Sequence, residues 1–321
     1  MRAAWIRKLG SLPEIGEAPD PARGEGEALI RVAAVPLNPI DINVCAGRFY
    51  GGSPPFPFVP GCEGVGRVVE GEALAPGTLV WAHGAGMGTR RDGTLAELLS
   101  VSEDALFPLP DGTDPVLAGA LGIAGLAGWL PVAVRAPVEE GETVLVLGAT
   151  GTVGLVAMQG ARLLGAGRVV AAGRRPEALE RARRLGADAV VSLDEDDLAG
   201  AFREACGGDG PSLVVDPLWG EPVVAAAHAA APVARIVNIG QSAGPAAPLL
   251  SADVRGKQLT VLGFSNFGTP REVMHREYLR LLEHARAGDV EVEVATFPFD
   301  RAAEAWERQA EGAGAKVVVT L

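Results

Sequence analysis

The stretch VLVLGATGTVG at residues 144–154 carries the reading of the fold. Its first half is short, continuously apolar and ends in glycine. Its second half opens a helical pattern that runs from Thr152 to Leu164. A glycine pattern set between a strand and a helix is the context in which a loop cradles phosphate. Gly148 allows the sharp turn, Gly151 lets the backbone approach a pyrophosphate, and Gly154 lets the helix pack on the sheet. Backbone amides around Thr150, Thr152 and Val153 would face the phosphates, aided by the helix dipole. The plain alternative is a tight strand–helix turn that binds nothing.

Working outward, the same rhythm repeats. RVVAAG (168–173), AVVSL (189–193), LVVD (213–216) and RIVNIG (235–240) are further apolar runs, and helical patterns separate them. A possible sixth run is Leu259–Phe264. Apolar strands alternating with helices predict a parallel sheet covered on both faces. Ligands of such sheets bind outside the carboxyl ends of the strands. Asn238 and Gly240, at one such end, are candidate nucleotide contacts. Trp219 in DPLWG (216–220) reads better as loop packing.

The end of the second run bears on the cofactor. A site for NAD wants a carboxylate there, to accept from the ribose 2′-hydroxyl. This strand closes on Gly173, Arg174, Arg175 and Pro176. Two guanidiniums stand where a 2′-phosphate would lie, and arginine suits phosphate through several charge-assisted donors. The expectation is NADPH rather than NADH. The alternative for the arginines is a solvated helix start.

Residues 1–115 read differently. Short apolar runs at Ala28–Val35, Val65–Val69, Thr78–Trp81 and Leu95–Val101 alternate with Gly/Pro clusters, which predicts a β-rich region. Four prolines make GGSPPFPFVPG (51–61) a loop. The tail predicts a helix at Arg271–Ala287, a strand at Val290–Phe297, a helix at Arg301–Gln309 and a strand at Lys316–Leu321. The expected domains are therefore 1–117 with 265–321, and an inserted nucleotide-binding domain at 118–264.

Composition excludes several classes. Of 321 residues, 28 are Lys or Arg and 40 are Asp or Glu, a net charge of −12. Such a chain has no general electrostatic attraction to nucleic acid or an anionic membrane. Its three cysteines show no CxxC spacing, which argues against a zinc ribbon or disulfide framework and suits a reducing cytoplasm. The N-terminus lacks a long apolar core, so no signal peptide is expected. Pro115–Val134 is uncharged and long enough to span a bilayer. Its Ala/Gly character, with Gly119, Gly122, Gly125 and Gly128 at every third residue, points instead to a buried helix packed on other backbone.

Taken with LNPIDIN (37–43), PGCEGVGRVV (60–69), GTLAELLSV (93–101), LGADAVV (185–191) and GAKVVV (314–319), the chain resembles the medium-chain dehydrogenase/reductase superfamily over essentially its whole length. The resemblance implies an α/β chain: a split, β-rich GroES-like catalytic domain around a Rossmann-type doubly wound parallel sheet. The zinc-free quinone oxidoreductase branch is most similar, with mitochondrial-type 2-enoyl thioester reductases also similar. Zinc-dependent members carry a Cys before the Asp of the first motif, a His in the second and a further Cys. Here Pro39 and Ile40 precede Asp41, Cys62 takes the place of the His, and Ile123–Gly128 holds no Cys. One thiol cannot build a three-ligand catalytic site.

Without a Lewis acid, reduction of a simple ketone is harder. A quinone or enone accepts hydride at carbon and spreads the charge to oxygen. The implied function is NADPH-dependent transfer of hydride to a conjugated carbonyl compound bound between the two domains. Enoyl or enone reduction is the alternative, and an NADPH-binding structural or regulatory protein the alternative of another class. The resemblance makes Asn38, Asp41 and Tyr50 the catalytic candidates. Asn38 either contacts ligand or is a backbone-bonding turn residue. Asp41 either faces the nicotinamide or is a buried structural carboxylate. Tyr50 lies one residue beyond the position where the enoyl reductases carry a tyrosine, which Phe49 occupies. Cys62, His83 and Phe264–Asn266 are weaker candidates for substrate contact. A homodimer through the apolar edge at Leu259–Phe264 is also expected.

Overall fold

The computed structural model describes residues 1–312 and 314–321 and divides them into two compact units. One comprises Met1–Ile123 with Glu293–Leu321, the other Ala124–Val292. The second unit is thus an insertion in the first.

The inserted unit is built on a six-stranded, wholly parallel sheet. Its spatial order is Ala189–Ser192, Arg168–Gly173, Thr143–Val146, Leu213–Asp216, Arg235–Asn238, Thr260–Gly263. The chain starts at the third of these places, winds outward, then crosses back and winds the other way. The four inner strands are short and apolar because helices cover both faces. Two buried clusters result: Val144, Val146, Met158 and Val215 on one side, Leu145, Val170, Phe202 and Ile236 on the other. The sixth strand, possible from sequence, is present.

The first unit holds a seven-stranded sheet. Its order is Val294–Pro298, Lys316–Thr320, Glu27–Pro36, Glu63–Glu70, Leu79–His83 and Leu106–Pro108, with Leu98–Ser102 pairing to Glu27–Pro36. The C-terminal strand Lys316–Thr320 lies between Val294–Pro298 and Glu27–Pro36. Pairing between residues this far apart in sequence is invisible in local pattern. So is the N-terminal ribbon of Arg2–Trp5 and Glu14–Glu17. The segment Gly51–Pro60 carries no helix, as its prolines dictate, and makes one isolated bridge, Ile6 to Phe58.

Two expectations need correction. The unit boundaries fall at Ile123/Ala124 and Val292/Glu293, not at 117/118 and 264/265. The helix Arg271–Ala287 therefore belongs with the parallel sheet, because the Trp129 indole donates to Glu277 (3.0 Å) and Gln159 bonds the backbone of Glu291 in both directions. The second correction concerns Pro115–Val134, which is not one helix. It forms Pro115–Leu121 and Ile123–Leu130, followed by a π turn at Pro131–Arg135. The break falls at Gly122, where a Cβ would collide with the Glu63 carboxylate and the Trp81 indole. Glu63 Oε2 then accepts from Ile123 N at 2.8 Å, satisfying an amide that opens the second helix. Among the described residues, no single helix is long and apolar enough to cross a membrane.

The glycine spacing of this stretch does mark close packing. A Cβ at Gly128 would strike the Val153 carbonyl, and one at Gly119 would lie 3.3 Å from the Pro36 ring. Replacing Gly128→Ala is expected to lower unfolding stability by about 1–3 kcal/mol. Denaturant unfolding measures this, and an unchanged midpoint would contradict the packing described.

Candidate nucleotide site

The ends of the parallel strands gather the residues singled out from sequence. Gly148 follows Thr143–Val146, Gly173 ends Arg168–Gly173, Asp216 ends Leu213–Asp216, and Asn238 ends Arg235–Asn238. Parallel pairing puts all four at one edge of the sheet.

Each glycine of the turn meets a different demand. Gly148 has φ +61°, a conformation costly for residues with a Cβ. A Cβ at Gly154 would lie 2.5 Å from the Gly148 carbonyl oxygen. Gly151 is unlike these, since its Cβ would meet nothing nearer than 3.9 Å. Its outer side is open, which is what a phosphate cradle needs. Gly151 is also the N-cap of helix Thr152–Leu163 and offers no side-chain cap. The amides of Thr152 and Val153 lack intrahelical partners by position. Thr150 instead turns toward the second strand, where a Cβ at Gly173 would clash with its methyl group. The loop is further pinned by Ala149 N to Ala172 O at 2.9 Å. These features fit a dinucleotide's pyrophosphate.

Arg174 and Arg175 leave the second strand exposed. Arg174 is 66% exposed, and its guanidinium is 4.0 Å from Asp194, also exposed. So loose a pair leaves this cation available to an anion. Arg175 caps helix Pro176–Arg184 through backbone only.

Asn238 is held in place. Its amide donates to Asp216 Oδ2 at 3.1 Å and to the Gly240 carbonyl at 2.7 Å. Gly240 has no room for a side chain, since a Cβ would meet Pro217 O at 2.6 Å. Burial raises the Asp216 carboxyl above its ordinary range, against the hydrogen bonds it accepts.

The candidates from the first unit lie in a buried polar network. Asn38 and Asp41 are each 1% exposed. They close a capping box on helix Pro39–Cys45, a helix that the sequence reading did not foresee. Asp41 accepts from Asn38 N at 2.7 Å and Cys62 N at 2.8 Å. Asn38 donates to Glu63 Oε1 at 2.8 Å and accepts from Lys316 Nζ at 2.6 Å. Trp81 Nε1 donates to Glu63 Oε2 at 2.8 Å, and Lys316 lies 3.8 Å from Glu63. Burial raises the Asp41 and Glu63 carboxyls and lowers the Lys316 ammonium, each opposed by its partners. The amide and carboxylate expected to meet a ligand are thus occupied within their own unit. Glu63 and Lys316 were missed. The available signal was a charge opening each of two apolar strands, Glu63 in EGVGRVV and Lys316 in KVVV.

Tyr50 is 93% exposed, its ring 4.5 Å from that of Phe49. Phe49 packs on the core and Tyr50 does not. The loop's one-residue register therefore leaves the tyrosine at the surface. Burial pushes the Cys62 thiol well up, and the thiol donates to Asp41. His83 is stacked on Trp81 at 4.9 Å and lowered by burial to about 4. Among the described residues, no group of three or more His, Cys, Asp or Glu could hold a metal. Cys62 belongs to no such group, and Glu63 is held by Asn38, Trp81 and Lys316.

Comparison with known proteins agrees with this architecture. The family described as zinc-binding dehydrogenase matches residues 152–284, and that described as alcohol dehydrogenase GroES-like domain matches 24–111. Quinone oxidoreductase-like protein 2 of Rattus norvegicus is 29% identical over 262 residues, 82% of this chain and 74% of that protein. The quinone oxidoreductase of Thermus thermophilus, solved also in complex with NADPH, is 31% identical over the whole of both chains, with a TM-score of 0.80. An NAD-dependent alcohol dehydrogenase is 28% identical over the whole of both chains, with a TM-score of 0.87. With full-length likeness and both domain families matched in split order, the chain belongs to the medium-chain dehydrogenase/reductase superfamily of oxidoreductases, alongside its quinone oxidoreductases.

Proposed function

We propose that the protein uses NADPH, without a catalytic metal, to reduce a quinone or another conjugated carbonyl compound. One observation carries the cofactor choice: strand Arg168–Gly173 runs into Arg174 and Arg175 with no carboxylate at its end. An acid there would accept from a ribose hydroxyl and repel a phosphate, whereas two cations suit the 2′-phosphate. The NADPH complex of the Thermus thermophilus relative supports the same reading.

Bound NADPH supplies the hydride. The chain's own residues position it. Amides of Thr152 and Val153 hold the pyrophosphate, with Gly148, Gly151 and Gly154 making the room. Arg174 and Arg175 hold the 2′-phosphate, and Thr150 keeps Gly173 close. Asn238 and Gly240 shape the neighbouring strand end. Asn38 and Asp41 act as positioning residues that fix the backbone of their motif. Conjugation in the acceptor takes the place of a Lewis acid in spreading negative charge. Tyr50, exposed as it is, leaves the balancing proton to water.

A second copy of the chain pairs at the outer strand Thr260–Gly263, where Val261 is 40% exposed at the edge of the sheet. The three buried cysteines suit a reducing compartment.

Three measurements test this. Fluorescence titration should show much tighter binding of NADPH than NADH. The double change Arg174→Ala/Arg175→Ala should weaken NADPH by at least about tenfold and leave NADH nearly unchanged. Equal affinity of the wild type for both nucleotides would refute the cofactor reading. NADPH oxidation should be seen with quinones or enones, should survive chelator, and should be unaffected by Tyr50→Phe. Nucleotide binding without turnover on quinones, enones or enoyl thioesters would instead favour a non-enzymatic role. Sedimentation should give twice the 33.0 kDa chain mass, and a monomer at micromolar concentration would remove the edge-pairing assignment.

A further inference from the structure

Trp219 has φ +57° and ψ −157°. That conformation is open to glycine and strained for a residue with a Cβ. It persists only where its surroundings impose it. Here the imposing group is the fully buried carboxylate of Asp216. Asp216 Oδ1 accepts from Leu218 N at 2.9 Å and Trp219 N at 2.8 Å. Its other oxygen accepts from Asn238. The loop after the next strand locks the turn from outside: Ala243 N donates to Leu218 O at 2.8 Å, and the Ser242 hydroxyl donates to Pro217 O at 3.2 Å.

The turn so held leans on the glycine loop. A Cβ at Gly148 would lie 3.0 Å from Leu218 Cδ2 and 3.2 Å from Pro217 Cγ. Gly148 in turn sets Gly151, which donates to its carbonyl at 3.2 Å, and Gly154. A line therefore runs from the Asp216 carboxylate, through a turn close enough to Gly148 to crowd a Cβ there, and through the Gly151-to-Gly148 hydrogen bond, to the start of helix Thr152–Leu163.

We propose that Asp216 is a positioning residue for the nucleotide. It holds Pro217–Trp219 in a strained turn, and that turn seats Gly148 and the phosphate-facing amides beyond it. This rests on the NADPH reading above. No substrate or nucleotide atom need touch Asp216.

The test uses NADPH fluorescence titration of the full chain, well below each variant's unfolding midpoint. Asp216→Ala should weaken NADPH by about tenfold. Adding Trp219→Gly to that variant should recover most of the affinity, because glycine adopts the turn without the carboxylate. Trp219→Gly alone should weaken NADPH binding far less than Asp216→Ala does. A merely structural Asp216 would lower the midpoint and leave affinity unmoved, which overturns the proposal, as does failure of the glycine to rescue. If Asp216→Ala does not fold, Leu218→Ala answers: weaker NADPH binding in a folded protein supports the contact line, and unchanged binding overturns it. A wild type that does not bind NADPH defeats the functional reading as well, whereas wild-type binding with unaffected variants defeats this proposal alone.

Discussion

The closeness of Gly154 to the Gly148 carbonyl governs the inserted unit. Any side chain at 154 would force the helix start away from the strand it follows. With glycine there, the first turn of Thr152–Leu163 sits directly over the edge of the sheet, and its unpaired amides face outward. Everything else at that edge is arranged around this approach. Thr150 folds over Gly173, Leu218 and Pro217 close on Gly148, and Gly240 yields to Pro217. Glycines at these places let three loops lie in contact, and the strained residue among them, Trp219, is held by a buried acid.

A different solution organises the first unit. Its centre is a buried set of charges: Glu63, Lys316 and Asp41, tied by Asn38 and Trp81. A buried ion pair of this kind is stable only when its hydrogen-bonding capacity is met. Each of these groups has partners from distant segments, so the network joins the first motif, the second motif, the C-terminal strand and the start of helix Ile123–Leu130. Beside this network the Cys62 thiol is buried against Asp41, and burial pushes it up from its ordinary range.

The local sequence made the parallel sheet and its edge legible. TVLVLG, RVVAAG, LVVD and RIVNIG are uniformly apolar because both faces of each strand are covered, and the helices between them repeat at their own period. The glycine loop was legible because three small residues must sit at fixed offsets to close one turn. Arg174 and Arg175 stood out because charge at the end of an apolar strand has no packing role. The helix Pro39–Cys45 had a local signature, Asn38 and Asp41 three residues apart around Pro39, but at seven residues it is too short to show a period, and the bond from Cys62 that fixes Asp41 comes from a distant segment. Tyr50 misled because sequence offset does not say which of two adjacent rings turns inward; Phe49 takes the core and Tyr50 the solvent.

By itself, then, the chain's local pattern determined the class of fold, the glycine turn and the pair of cations beside it. Each depends on residues within a few positions of one another, where periodicity and steric demand act directly. Tertiary structure alone decided the break at Gly122, the membership of helix Arg271–Ala287, the burial of Lys316 against Glu63, and the hold of Asp216 on Trp219. These arise where segments far apart in sequence meet, and a buried charge or a strained turn is tolerated only once its distant partners have arrived.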